Sequence, residues 1–175
     1  MEQPIVRGAH YDTGVVKVTL DGVPDRPAAV AAVFRCCADA WIRPDPIRHG
    51  CPAPGLRQFT LVVPESDTLA VVTALGRART AIGYTALSHD AGIGTVTLSG
   101  AALATHTRII AQFFEALAQG GVPVHFVSVT DTRITAVTPR HRAAAAAQAL
   151  ALAFGLGRDG VNSSARQPRY RLTEA

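Results

Sequence analysis

The chain has 175 residues, of which 48% are hydrophobic and 17% charged, and its formal net charge at pH 7 is +4. That composition belongs to a folded chain with a real core, one domain or two small ones, and excludes intrinsic disorder. No apolar stretch reaches the roughly 18–20 residues that a membrane span needs, and no aromatics interleave with a basic stripe as a single-strand-binding surface requires.

Lys17 is the one lysine among 17 basic side chains, and the arginines are scattered except for Arg158, Arg166, Arg169 and Arg171 near the end. Neither nucleic acid nor a membrane is therefore an expected partner. MEQPIVRG has no basic n-region and no long apolar run, so no signal peptide is expected. Cys36, Cys37 and Cys51 lack CxxC spacing, which argues against a metal centre or a disulfide framework and for a reducing cytoplasm. No cofactor is expected.

In chain order, residues 4–10 (PIVRGAH) predict a short strand ahead of a turn at Tyr11–Gly14. Val15, Val16, Val18 and Leu20 predict a strand over 15–21. Gly22–Pro27 is a turn, with Gly for unusual φ and Pro withholding an N–H. Val30, Val33, Phe34, Cys37 and Ala38 then mark one face of a helix, with Asp25 placed to cap it. Ile42–His49 reads as a strand with Pro44 and Pro46 on one side, Gly50–Gly55 as a hairpin loop and Arg57–Val63 as the next strand. A helix over Asp67–Arg79 and a strand over Ile82–Ser88 follow.

The chain then repeats itself. Val96, Leu98 and Gly100 answer Val18, Leu20 and Gly22 at an offset of 78, and Asp90 answers Asp12. After two extra loop residues, Ile110, Phe113, Phe114, Leu117 and Ala118 answer the first helix face at an offset of 80. This is an internal repeat. Strands over 122–129 and 132–138 and a helix over 140–154, closed by Gly155, complete the second copy. Arg140–Arg142 would crowd positive charge at that helix's start. No strand is expected after it, and 157–175 reads as a flexible tail.

Each repeat is thus β-α-β-β-α-β, but the second lacks its last strand and the chain begins with a spare one. The expected fold is α+β, two ferredoxin-like units with the N-terminal strand completing the second sheet. The first unit would span 13–90 and the second 91–156 plus 3–11.

These residues resemble the regulatory tandem ACT domains of aspartate kinase. MEQPIVRGAHYDTGVVKVTLDGVPDRP, FRCCADA, SHDAGIGTVTLSGA, FFEALAQGGVPV and AFGLG carry the resemblance, which covers roughly residues 1–157. These 175 residues hold no kinase domain and no phosphate-cradling loop, so the resemblance implies an effector site rather than aspartate phosphorylation. In that family threonine or lysine binds between ACT units, and sheet edges pair side by side between chains. A homodimer and an aspartate-kinase-like catalytic subunit are therefore the partners implied.

Carried over residue by residue, the family's DRPG loop is Asp25, Arg26, Pro27 and Ala28, so the glycine is lost. Its glutamine is His49, and its asparagine is Pro123, flanked by Val122 and Val124. The matching AGIN of the first repeat reads Ala40-Trp41-Ile42-Arg43. The second loop's SHPG reads Thr105-His106-Thr107-Arg108, and STSE reads Ser128-Val129-Thr130-Asp131. Pro123 has no N–H to offer, and Ala28 narrows the backbone approach that glycine permits.

The departures fall where the ligand would sit. Arg43 and Arg108 would favour a more anionic ligand than threonine. Two other readings stay open: an enzyme in the former effector pocket, with His49, His125 or Arg43 as acid–base groups, or a scaffold without ligand. A trio of His49, Cys51 and His125 would give a thiol a neighbouring base. Alternation puts His125 on the solvent face, helix packing is the expected place of Trp41, and Phe113 and Phe114 are expected in the core.

Overall fold

A computed structural model describes residues 5–45, 47–157 and 161–163. The elements are β1 (Ile5–Asp12), β2 (Val15–Pro24), α1 (Pro27–Asp39), β3 (Ile47–Ala53), β4 (Leu56–Pro64), α2 (Thr68–Arg77), α3 (Arg79–Ile82) and β5 (Ala86–Asp90). They continue as β6 (Ile93–Ala101), α4 (Thr107–Gln119), β7 (Phe126–Val129), β8 (Arg133–Pro139), α5 (Ala143–Ala153) and β9 (Val161–Ser163). Short 3₁₀ turns at Glu65–Asp67 and Arg140–Arg142 precede α2 and α5.

The strands form two sheets, β3-β4-β2-β5 and β7-β8-β6-β1-β9. The spare N-terminal strand completes the second sheet as expected, running antiparallel to β6 from Ile5↔Ala101 to Asp12↔Thr95. Each sheet carries its helices on one face. Val16, Val18, Leu20, Phe59 and Leu61 pack with Val33, Val71 and Leu75 in the first unit. Val96, Leu98 and Ile134 pack with Phe113, Leu117 and Leu150 in the second. The five alanines at 143–147 form a helix readily and allow close approach. Gly94 uses that closeness, because a Cβ there would meet Ala143 Cβ at 2.9 Å and the Asp12 carbonyl at 3.0 Å.

The faces without helices meet through Val15, Val62, Ile93 and Val137, with Phe126 against them. Ion pairs from Arg133 to Asp45 (3.4 Å) and from Arg140 to Glu65 (3.6 Å) join the units at the rim. The repeat is visible in its turns. Asp12 and Asp90, matched by offset in the sequence, each accept an N–H from the glycine two residues on, at 2.8 Å. The Asp90 carboxyl is held below the usual range by that Gly92 N–H and by Lys17, whose ammonium lies 3.2 Å away.

Several expectations need correction. The strand expected over Ile42–His49 begins only at Ile47, because Ile42 is used to close α1 and Pro44 interrupts pairing. Pro46 lies outside the described residues. The expected Gly50–Gly55 loop is mostly strand, leaving Pro54–Gly55 as the turn, with Gly55 at φ 76°. Ile82 ends a helical turn, closed by Gly83 at φ 84°, so the strand starts at Ala86 instead. The strand expected from residue 122 begins at Phe126. The positive φ of Gly22 (67°) recurs at Ala102 (56°), not at Gly100, so the loops align at the helix offset. A short β9 pairs with β1 where no strand was expected, and 158–160 and 164–175 lie outside the described residues.

Both helix faces are rotated from the expected stripe. On α1 the buried residues are Ala29, Val33 and Cys37, and on α4 they are Ile109, Phe113, Ala116 and Leu117. Phe34 and Phe114, 80 residues apart, are left 41% and 43% exposed. Phe114 is therefore not core; it meets buried Phe113 edge-on at 5.8 Å.

Candidate functional site

The expected loop contacts, Asp25, Arg26, Pro27 and Ala28, are all exposed at the start of α1. Pro27 takes the first helical position, where its missing N–H costs nothing, and the cap residue is Arg26 with extended backbone. Asp25 does not cap the helix. Its carboxylate is forked by Arg57 from β4, Nε donating to Oδ1 at 2.6 Å and Nη2 to Oδ2 at 3.2 Å. This hydrogen bond, with the carboxylate's charge, holds the Arg57 guanidinium further above its ordinary value. The Asp25 N–H is also engaged, by the Gly55 carbonyl at 2.9 Å. The loop is therefore stitched to the β3–β4 hairpin, and its acid is ion-paired. The first turn of α1 carries no acidic side chain; Pro27 has no N–H and those of Ala29 and Val30 already donate to the Arg26 carbonyl, so only the Ala28 N–H and the helix dipole face an anion there.

The other half of the expected site, Val122–Val124, follows the end of α4 in the second unit. Three helices finish alike. After α1 the N–H groups of Trp41 and Ile42 donate to Ala38 and Cys37; after α4 those of Gly121 and Val122 donate to Ala118 and Leu117. After α5 those of Gly155 and Leu156 donate to Leu152 and Ala151. Each is a Schellman motif, with a left-handed residue and then an apolar plug. Val122 is that plug, buried, with its N–H already used. The Pro123 carbonyl accepts from Thr138 Oγ1 at 2.8 Å. Val124 is half-buried, and His125 is exposed as expected, its N–H on the Val137 carbonyl. Arg142 reaches across to the end of α4, donating to the Gly120 and Gly121 carbonyls at 2.7 and 3.1 Å. One of the arginines expected to oppose a dipole thus complements another helix's negative end.

Asp25–Ala28 and Val122–Val124 therefore stand on different units, and among the described residues no hydrogen bond or ion pair joins them. Two open grooves, of about 370 and 710 Å³, lie between α4 and α5 and between α1 and α2. Neither is lined by those residues, although Arg108 borders the first. His49 falls on β3 opposite Phe59, and its side chain lies outside the described residues. Among the described residues no group of three or more acidic, His or Cys side chains is arranged to hold a metal ion. Cys51 is exposed, whereas burial pushes the Cys37 thiol up to about 11, away from thiolate chemistry.

The family model "ACT domain" matches residues 96–154. The aspartokinases of Mycobacterium tuberculosis and Mycolicibacterium smegmatis are 36% and 32% identical over 161 residues, or 91% of this chain and 38% of theirs. The chain thus spans little more than a third of those curated relatives. The ligand-free regulatory subunit of aspartate kinase from Thermus thermophilus superposes with a TM-score of 0.79 at 29% identity, covering 86% of this chain and 99% of that one. Aspartate kinase from Synechocystis gives a TM-score of 0.79 at 27% identity, over 89% of this chain and 28% of that one. Residues 96–154 thus carry an ACT domain, and the chain as a whole has the fold of aspartate-kinase regulatory domains.

Between the two ACT-like units the most telling difference is Trp41. It holds φ at 56° where the second unit has Gly121 at 58°, and it is 67% exposed, not packed on the helix end. A left-handed backbone costs an ordinary residue about 1–2 kcal/mol, which glycine avoids. Part of the gain on replacement is lost to the freer unfolded chain. Trp41→Gly is therefore expected to raise stability by about 0.5–1 kcal/mol, read as an upward shift of the thermal midpoint. A lower midpoint would mean that the indole makes stabilising contacts that its exposure conceals. Arg43, two residues on, is also exposed. Sequence reasoning missed Arg57 altogether, since the residue that engages Asp25 lies 32 positions away on another strand.

Proposed function

We propose that this chain is a regulatory ACT protein that binds an amino acid or related small acid between units of two copies and controls an aspartate-kinase-like catalytic polypeptide. The observation that carries this reading is the match to a free-standing regulatory subunit over 99% of that chain. The geometry supports it at two points. The amide end of α1 suits a carboxylate beside Asp25, which suits an ammonium. The candidate halves lie on different units, Phe34 and Phe114 are part-exposed at equivalent positions of α1 and α4, and β3 and β7 end their sheets. An open sheet edge can pair with its own copy about a two-fold axis.

With Asp25 forked by Arg57 and Arg43 exposed, the site leans towards a ligand richer in negative charge than threonine. Calorimetric titration of amino acids and of matching acids without the amine tests this on the wild type and Asp25→Ala. Losing a charged hydrogen bond costs about 1.5–3 kcal/mol, so the variant is expected to bind amino acids about 10- to 100-fold more weakly. Amine-free acids should bind no more weakly, because Arg57 is freed. Equal affinity of wild type and variant for every amino acid would remove Asp25 from the site. Sedimentation equilibrium should show a dimer; a monomer that binds ligand fully would overturn the two-copy site.

A further inference from the structure

The first sheet stops at four strands, with β5 at one edge, whereas β1 in the equivalent place of the second sheet is covered by a fifth strand. β9 runs parallel to β1, with Ala9↔Val161, His10↔Asn162 and Tyr11↔Ser163 in register. It arrives there after Gly155 turns the chain at φ 63°, and Val161 packs with Leu156 and Phe154 against the core of the second unit.

The two edges differ in what they would expose. β5 has five residues, four of them exposed, and ends in Ser88, His89 and Asp90. A short polar edge of that kind resists pairing with another chain. β1 has eight residues, IVRGAHYD, and presents Gly8, Ala9, His10 and Tyr11 in its middle. Left open, it would offer a longer row of N–H and C=O groups to any extended segment.

We propose that β9 is a guard strand, occupying the β1 edge from within the chain and denying it to a strand of a second copy. Association is then confined to other surfaces. The idea does not rest on the effector-site reading and stands or falls separately.

Two full-length variants test it. Val161→Asp places a charge where β9 packs on the core, and Asn162→Pro takes the central N–H from β9 without removing any buried side chain, so it leaves the cores intact. Amide hydrogen exchange over Ala9–Tyr11 reports whether the edge is uncovered, and sedimentation velocity over a concentration series reports association. The expected result is faster exchange in β1 together with species larger than the wild type forms, growing with concentration. Faster exchange with the wild-type size distribution would overturn the proposal, since an open edge would then recruit nothing. Unchanged exchange in both variants would overturn it as well, because β9 would not be what covers β1.

Discussion

Removing residues 1–12 is expected to unfold the second ACT unit. β1 lies between β6 and β9, in register with β6 from Ile5 to Asp12 apart from a bulge between Val6 and Gly8. It also places Ala9, fully buried, beneath α5, with Val6 and Tyr11 beside it. Without it the second unit keeps β6, β8 and the four-residue β7 under two helices, and β6 becomes an open edge. The loss combines seven residue pairings with the uncovering of an apolar helix face, which is comparable to a whole domain's stability of about 5–15 kcal/mol. For the same reason residues 91–175 alone should not fold. Asp12 stands opposite Thr95, however, so β1 joined to Ile93 through a short Asn-Gly turn should restore the unit. Circular dichroism and amide exchange in α4 and α5 would read both results. Native-like protection in α4 and α5 of residues 13–175 would contradict this account.

The second large effect separates two neighbours. Phe113 is fully buried among Val96, Leu98, Leu117 and Leu150, so Phe113→Ala is expected to cost about 3–5 kcal/mol through lost transfer energy and the cavity left behind. Phe114→Ala removes a ring that is 43% exposed and should cost the monomer about 1 kcal/mol. Its main effect should instead be weaker association, with Phe34→Ala acting alike from the other unit. Denaturant unfolding gives the first quantity and sedimentation equilibrium the second. If Phe114→Ala destabilised as much as Phe113→Ala while leaving the oligomer intact, the exposed phenylalanines would have no part in an interface.

That pair also shows where sequence and structure part company. Apolar residues at i, i+3 and i+4 announce a helix and an approximate face, but they do not say which flank the sheet covers. Both repeats placed a phenylalanine on the uncovered flank, and only the packing reveals it. The duplicated strand–loop–helix, the Asp turns and the completion of the second sheet by the N-terminus were legible because each leaves a local or periodic trace. The Gly155 helix end was legible for the same reason. Trp41 was not, since a bulky residue gives no hint that the backbone will turn left-handed there. The Asp25–Arg57 fork joins a loop to a strand 32 residues on, and such pairs leave no local pattern. β9 escaped because a three-residue segment carries no periodicity, and its partner strand lies at the opposite end of the chain.

The binding reading meets its most direct test in a thermal-shift screen of the full chain against amino acids, biosynthetic intermediates and other small acids, followed by assay of every hit for consumption. A ligand at 100 times its Kd should stabilise the fold by about 2.7 kcal/mol, enough to move the midpoint by several degrees. At least one such hit is expected among amino acids or small acids, recovered unchanged after incubation. A hit that is consumed would make the chain an enzyme, and a screen with no shift at all would leave a scaffold that senses nothing; either result contradicts the regulatory reading.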